Sequence, residues 1–191
     1  MAKVFDELDD PLIAFIHRQH LFFVASAPDA HDGLINLSPK GRPGLAILSP
    51  RRVAYLDLVG SGIETTAHLG ENGRIVVMFC AFEGPPRIVR LHGRGEAIEP
   101  ADERWDGLAQ HFPQHDGARA IICIDLLRIS DSCGYGVPRF DYLGERDQLD
   151  RWVEKKGPDG LIRYQEENNR HSIDGLPGLR RLSEASDSSE G

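Results

Sequence analysis

Apolar and polar residues alternate with a period of two through much of residues 20–130, and that period predicts strands. Within 52–58, Val53, Tyr55 and Asp57 fall on one face and Ala54, Leu56 and Leu58 on the other. Within 74–82 both faces are apolar, with Ile75, Val77, Phe79 and Ala81 opposite Val76, Met78, Cys80 and Phe82. A run of that kind predicts a central strand covered on both sides. Within 87–98, Val89, Leu91 and Ala97 point inward while Arg90, His92, Arg94 and Glu96 point outward. Gly93 and Gly95 interrupt this last run, which predicts a bulge or bend. Shorter strands are expected at 20–27, 34–41 and 44–49, and another long one at 120–130. In the 34–41 strand Ile35 and Leu37 point one way, Asn36 and Ser38 the other. A face of amide and hydroxyl groups is either solvated or lines a polar ligand.

Helices interrupt this pattern. Asp9-Asp10-Pro11 reads as an acidic N-cap followed by proline in the first turn, and Leu12, Phe15 and Ile16 follow at helical spacing. Ser61-Gly62-Ile63-Glu64 has the form of a capping box for a short helix running to about residue 69. In 101–112, Trp105, Leu108, Ala109 and Phe112 form one amphipathic stripe. Two helical pieces are expected at 145–156 and 161–169, separated by Gly157-Pro158-Asp159-Gly160. Residues 183–191 are serine- and acid-rich and predict an unstructured tail. Strands followed by a short helix, a long central strand and its paired neighbour predict a mainly β protein with peripheral helices. The expected organisation is one domain over 1–182, its C-terminal extension at about 145–180 being helical.

Composition narrows the function. The 191 residues carry a net charge of −8, which argues against nucleic-acid binding. Local basic clusters at Arg51-Arg52 and at Arg87, Arg90 and Arg94 suit only a small anion. Three cysteines without a paired spacing point to a reducing compartment, and no apolar run reaches the roughly 20 residues of a membrane span. The expectation is a cytoplasmic protein that binds neither membrane nor nucleic acid. His111 and His115 are split by Pro113, so no metal site is expected.

Candidate chemistry gathers around the glycine-led turn before the short helix. Gly60 and Gly62 permit close approach of the backbone, and the free amides of a first helical turn suit an anion. A satisfied capping box would consume some of those same donors. Thr65 and Thr66 add hydroxyls, and His68 lies a turn further on. Asp57, at the end of its strand, either starts a turn or accepts a hydrogen bond from a ligand. Cys80 reads as a small core residue. The loop 133–138, Cys-Gly-Tyr-Gly-Val-Pro, either covers a ligand or simply connects two elements. There is no Ser-His-Asp or Cys-His constellation.

Five stretches together resemble the pyridoxamine 5′-phosphate oxidase-like family of FMN-binding split β-barrels. They are the helix before the first strand, Asn36-Leu37-Ser38-Pro39-Lys40-Gly41, the Gly60-Ser61-Gly62 turn with Glu64-Thr65, Asn72-Gly73-Arg74, and Arg87-Ile88-Val89-Arg90-Leu91-His92-Gly93. The C-terminal part looks like the extension of an uncharacterised subgroup rather than that of the true oxidase. The resemblance implies a homodimer with FMN at the subunit interface. It places Asn36, Ser38 and Lys40 near the flavin, and Asp57, Ser61, Gly62, Thr65 and Thr66 near the ribityl chain or phosphate, with Arg87 and Arg90 close by. It also implies departures. Glu64-Thr65 stand where the oxidase has a basic pair, and Ile88 stands where it has glutamine. The function it implies is an FMN-dependent oxidoreductase acting on a small-molecule substrate, with NAD(P)H as a candidate donor. The alternatives are a non-catalytic flavin- or ligand-binding dimer, or a member using the deazaflavin F420 or haem.

Overall fold

The computed structural model describes residues 3–41 and 44–187. Asp9 Oδ1 accepts the amide of Leu12 at 2.9 Å and starts α1 (Asp10–His17), with Pro11 in its first turn. Leu12, Phe15 and Ile16 of α1 are buried, as their spacing predicts.

The strands are β1 (Lys3–Phe5), β2 (Phe22–Ser26), β3 (Asn36–Lys40), β4 (Leu45–Ser49), β5 (Arg52–Leu58), β6 (Arg74–Cys80), β7 (Ile88–Ile98) and β8 (Ala118–Ser132). They form one antiparallel sheet in the order β3-β2-β6-β7-β8-β5-β4, with β1 added to β8. The sheet curls around a core that includes Phe22, Val24, Tyr55, Val77, Phe79, Leu91, Ile122 and Ile124. β3 and β4 end the strand order and do not pair, so the barrel is split between them. The predicted bulge in β7 is present: its register against β8 shifts between His92 and Gly93.

Burial along β6 qualifies one expectation. The strand is central, between β2 and β7, and the face with Ile75, Val77 and Phe79 is buried, whereas on the other face only Cys80 is. Val76 and Met78 are half-buried, and no helix among the described residues packs on them. The outer face of β5 and β8 is treated differently. There α3 (Trp105–Ala109) and the turn after it lay Trp105, Leu108 and Phe112 on Ala54, Leu56, Ile121 and Cys123. This helix is shorter than the 101–112 expected, its ends being turns.

α2 (Glu64–Glu71) follows the Gly60 turn, and α4 (Gln148–Asn168) is two helical pieces broken at Gly157, which sits at φ 63°. α5 (Arg180–Asp187) overlaps the expected unstructured tail, so residues 183–187 are helical instead. Leu182 explains it: buried beside Ile63 and Leu179, it ties the helix down before the acidic stretch begins. The remaining tail residues, 188–191, lie outside the described residues.

Candidate functional site

One end of the barrel interior is polar. Cross-strand pairing puts Lys40, Ser38 and Asn36 opposite Phe22, Val24 and Ser26, so the polar side of β3 faces inward. Its apolar side faces out: Ile35 is 78% and Leu37 64% exposed. The amide-and-hydroxyl face is half-buried on the inner side of the strand rather than on the outer surface.

Hydrogen bonds tie β3 to the other elements around this end. Asn36 Nδ2 donates to Thr65 Oγ1 of α2 at 2.9 Å, and Ser38 Oγ donates to Asn36 Oδ1 at 3.0 Å. Lys40 Nζ donates to Asp57 Oδ1 at 2.7 Å, bridging the split between β3 and β5. Arg119 reaches the same carboxylate from the opposite side, its Nε 2.8 Å from Asp57 Oδ2. A bulge makes that possible. Asp57 pairs with Ala120 and Leu58 with Ala118, so Arg119 is the extra residue and its side chain turns in.

Burial alone would raise the pKa of Asp57. The charges of Arg119 and Lys40 and their hydrogen bonds outweigh that and hold it below the usual carboxylate range. Tyr55, two residues earlier on the same face, is pushed well above its ordinary value by burial and then by Asp57. It stays a phenol. His68 is fully buried and hydrogen-bonded through Nδ1 to Ser26 Oγ at 2.9 Å. Burial lowers its pKa, against the opposing pull of Asp174, Glu64 and Glu71, so the ring is neutral. Tyr55 Oη and His68 Nε2 are buried without a well-formed hydrogen bond, as is Thr66 Oγ1.

The Gly60 turn is closed from behind by the C-terminal extension. Arg119 Nη1 and Asn169 Nδ2 both donate to Gly60 O, at 3.3 and 2.9 Å, and Arg119 Nη1 also donates to Asn169 Oδ1. Ile63 packs on Leu179 and Leu182. Gly178 passes so close to Asn169 that an added Cβ would lie 2.2 Å from its carbonyl oxygen. The expected capping box does not form. The helix starts two residues later than the box requires, with Ile63 at the N-cap and no side-chain oxygen to cap it, and Glu64 instead accepts from the amide of Ile173 at 3.4 Å.

Of the residues singled out in the sequence, Asn36, Ser38, Lys40, Asp57 and Thr65 come together. Thr66 is buried on α2 and lines a cavity of about 640 Å³ against Leu176 and Pro177. Ser61 is exposed, and the Glu64 carboxylate folds over Gly62. Arg87 and Arg90 stand apart from this cluster within the chain. Arg87 pairs with Asp131 at 2.9 Å, and Arg90 donates to Ser132 from the outer face of β7. Ser26, Tyr55, Arg119 and Asn169 belong to the cluster but were not singled out. An arginine inside the apolar run 118–124 was the one visible sign of them.

An eight-stranded antiparallel sheet that curls on itself and stays open between two edge strands defines the chain as a split β-barrel protein. The sequence profile of the pyridoxamine 5′-phosphate oxidase family matches residues 8–133, and the chain belongs to that family. It is 43% identical to the pyridoxamine 5′-phosphate oxidase family protein ustO of Aspergillus flavus, over 94% of this chain and 78% of that one. Among solved structures it is similar in fold to HupZ of Group A Streptococcus (the H111A form), with a TM-score of 0.51 and 21% identity, covering 65% of this chain and 98% of HupZ. It is also similar to a putative pyridoxamine 5′-phosphate oxidase of Lactobacillus delbrueckii, with a TM-score of 0.49 and 16% identity, covering 66% and 98% of the two chains. No helix among the described residues is long and apolar enough to cross a membrane.

FMN would need a grip for its phosphate, and the residues present do not fit that group. Lys40 and Arg119 are bound to Asp57, Arg87 is bound to Asp131, Arg90 is bonded to Ser132 on the outer face of β7, and the side chain over the Gly62 turn is the Glu64 carboxylate. The orphaned Tyr55 and His68 atoms and the inward side of β3 fit neutral polar groups instead.

Proposed function

We propose that the chain works as a homodimer that binds a flavin at the mouth formed by Asn36, Ser38 and Lys40, and that it acts as an oxidoreductase on a small molecule. The observation that carries this reading is the two-sidedness of β3. Its inward side offers amide, hydroxyl and ammonium groups, while Leu37 and the preceding Ile35 leave an apolar outer side bare. An exposed apolar patch on an edge strand suits burial against a second copy of the chain. A ligand at the mouth would then lie beside the subunit seam. Family membership supports a flavin, which carries the redox chemistry itself. This chain's residues would hold the ligand, supply hydrogen bonds and keep water out, consistent with the absence of a nucleophilic triad. FMN is the form the resemblance implies. A cytoplasmic setting is the one that fits the cysteine usage, and NAD(P)H is the candidate donor.

The charged cluster favours a second reading, a dimer that binds a ligand without turning it over. Lys40, the most accessible candidate for chemistry, is already committed to Asp57.

Spectroscopy on the purified full chain separates the readings. A bound or added flavin that NADPH or NADH bleaches under anaerobic conditions supports the enzyme. A flavin that binds but resists both donors supports the binding role. A colourless protein that leaves the absorbance and fluorescence of added FMN and riboflavin unchanged overturns both, and a monomer by light scattering removes the seam.

A further inference from the structure

Two cations at the polar end of the barrel converge on one carboxylate. Lys40 Nζ lies 2.7 Å from Asp57 Oδ1 and Arg119 Nε 2.8 Å from Asp57 Oδ2. Asp57 is 1% exposed, so its two oxygens are filled from opposite sides in a place that water does not screen. A ligand's carboxylate or phosphate would be gripped by the same kind of pair. We propose that Asp57 is a built-in anion filling the anion position of this site, so that the site takes an uncharged ligand rich in oxygen acceptors and excludes one ending in phosphate.

The rest of the site agrees. The Gly60 carbonyl, itself an acceptor, takes hydrogen bonds from Arg119 and Asn169. Beyond the turn, Glu64 covers Gly62, and an added Cβ there would lie 2.2 Å from its Oε2. Asp174 sits on the same side, accepting the amide of Leu34 at 3.0 Å. An entering phosphate would therefore meet three carboxylates and two cations that already share one of them. A neutral ligand meets no such conflict. Lys40 spends one of its three N–H donors on Asp57, and its side chain stays 23% exposed beside Asn36 and Ser38. Those groups suit carbonyl and hydroxyl oxygens, such as those of a flavin ring and sugar-alcohol chain without the phosphate.

The inference rests on the proposed site in taking flavins as probes, and inorganic phosphate provides a probe that does not depend on them. Riboflavin and FMN are titrated against the full chain by fluorescence. Melting temperature is followed in phosphate and in chloride at matched ionic strength. The same measurements are made on Asp57→Asn, which keeps the shape and removes the charge, and on Asp57→Ser, which also leaves room for an anion.

In the unaltered chain riboflavin is expected to bind at least as tightly as FMN, and phosphate to give no stabilisation beyond chloride. A folded Asp57 variant is expected to shift the FMN-to-riboflavin preference toward FMN by about tenfold or more, and to melt higher in phosphate. An unaltered chain that prefers FMN by about tenfold, or that phosphate stabilises, overturns the proposal even if neither variant folds. So does a folded variant that gains neither FMN preference nor a phosphate shift. If no flavin binds at all, the flavin reading fails, and the phosphate measurements still decide the role of Asp57.

Discussion

Two parts of the barrel interior are built from opposite materials. In the apolar part Phe22, Phe79 and Leu91 pack together, with Phe22 and Phe79 centroids 5.5 Å apart, and Tyr55, 5.6 Å from Phe22, borders the polar cluster. In the polar part Ser26 and His68, Asn36 and Thr65, and Asp57 and Arg119 are held in pairs by hydrogen bonds. Apolar packing is non-directional and is stabilised by removal of area from water. A buried charge cluster is stable only while each member keeps its partner. The apolar part thus depends on size and area, and the polar part on pairing.

The sharpest way to break the comparison is to remove a large side chain from the apolar part. Phe79 is 1% exposed and central in the sheet. Phe79→Ala is expected to cost about 3–5 kcal/mol through lost transfer energy and the cavity left behind. Urea unfolding measures it, and a loss well under 1 kcal/mol would mean that this part does not depend on size and area. The polar part should respond according to pairing rather than size. Arg119→Met leaves Asp57 with Lys40 alone, and the expected loss is about 3 kcal/mol. Adding Asp57→Leu to that variant removes the stranded charge, so the double variant should recover much of the loss, although Lys40 then loses its partner. Simple additivity of the two single changes would show that the cluster is not coupled.

This division was only partly visible in the sequence. The alternation in 52–58 and 74–82 placed Val53, Tyr55, Val77 and Phe79 on inward faces, because period-two burial is a local property of a strand. The α1 cap, the β7 bulge and the break at Gly157 were legible for the same reason: each is set by a few neighbouring residues. The site was not local. Arg119 turns inward only because one residue slips in the pairing of β5 with β8, and strict alternation with Ala120 and Ile122 assigns it to the outside. The Ser61–Glu64 capping box has the right spacing, but the helix starts two residues later and Glu64 accepts from Ile173, 109 residues on. The anion site read from Gly60, Gly62 and the first-turn amides of the short helix depends on that turn, against which the C-terminal extension packs. The extension that closes it lies beyond the stretch that carried the resemblance.

A smaller effect sharpens the contrast through protons. His68 has a lowered pKa in the fold, caused first by burial and opposed by Asp174, Glu64 and Glu71. The unfolded chain takes up a proton near pH 6.5, whereas the folded chain resists it. Below that pH the unfolded state therefore binds more protons, and stability falls as pH drops toward the lower folded value. Asp57 acts in a separate, more acidic window. Its folded pKa is also lowered, so its contribution is full above the unfolded value near 3.9 and is lost as pH falls through the folded one. His92, lowered by burial and by Arg128 and Arg90, adds to the first window with the same sign. His68→Gln retains a polar side chain for Ser26 but has no proton to gain. Urea midpoints at pH 7.5 and 5.5 should differ less in this variant than in the unaltered chain, with the acid limb below pH 4 unchanged. An equal drop in both proteins between pH 7.5 and 5.5 would mean that the neutral ring of His68 does not help to hold the polar end together.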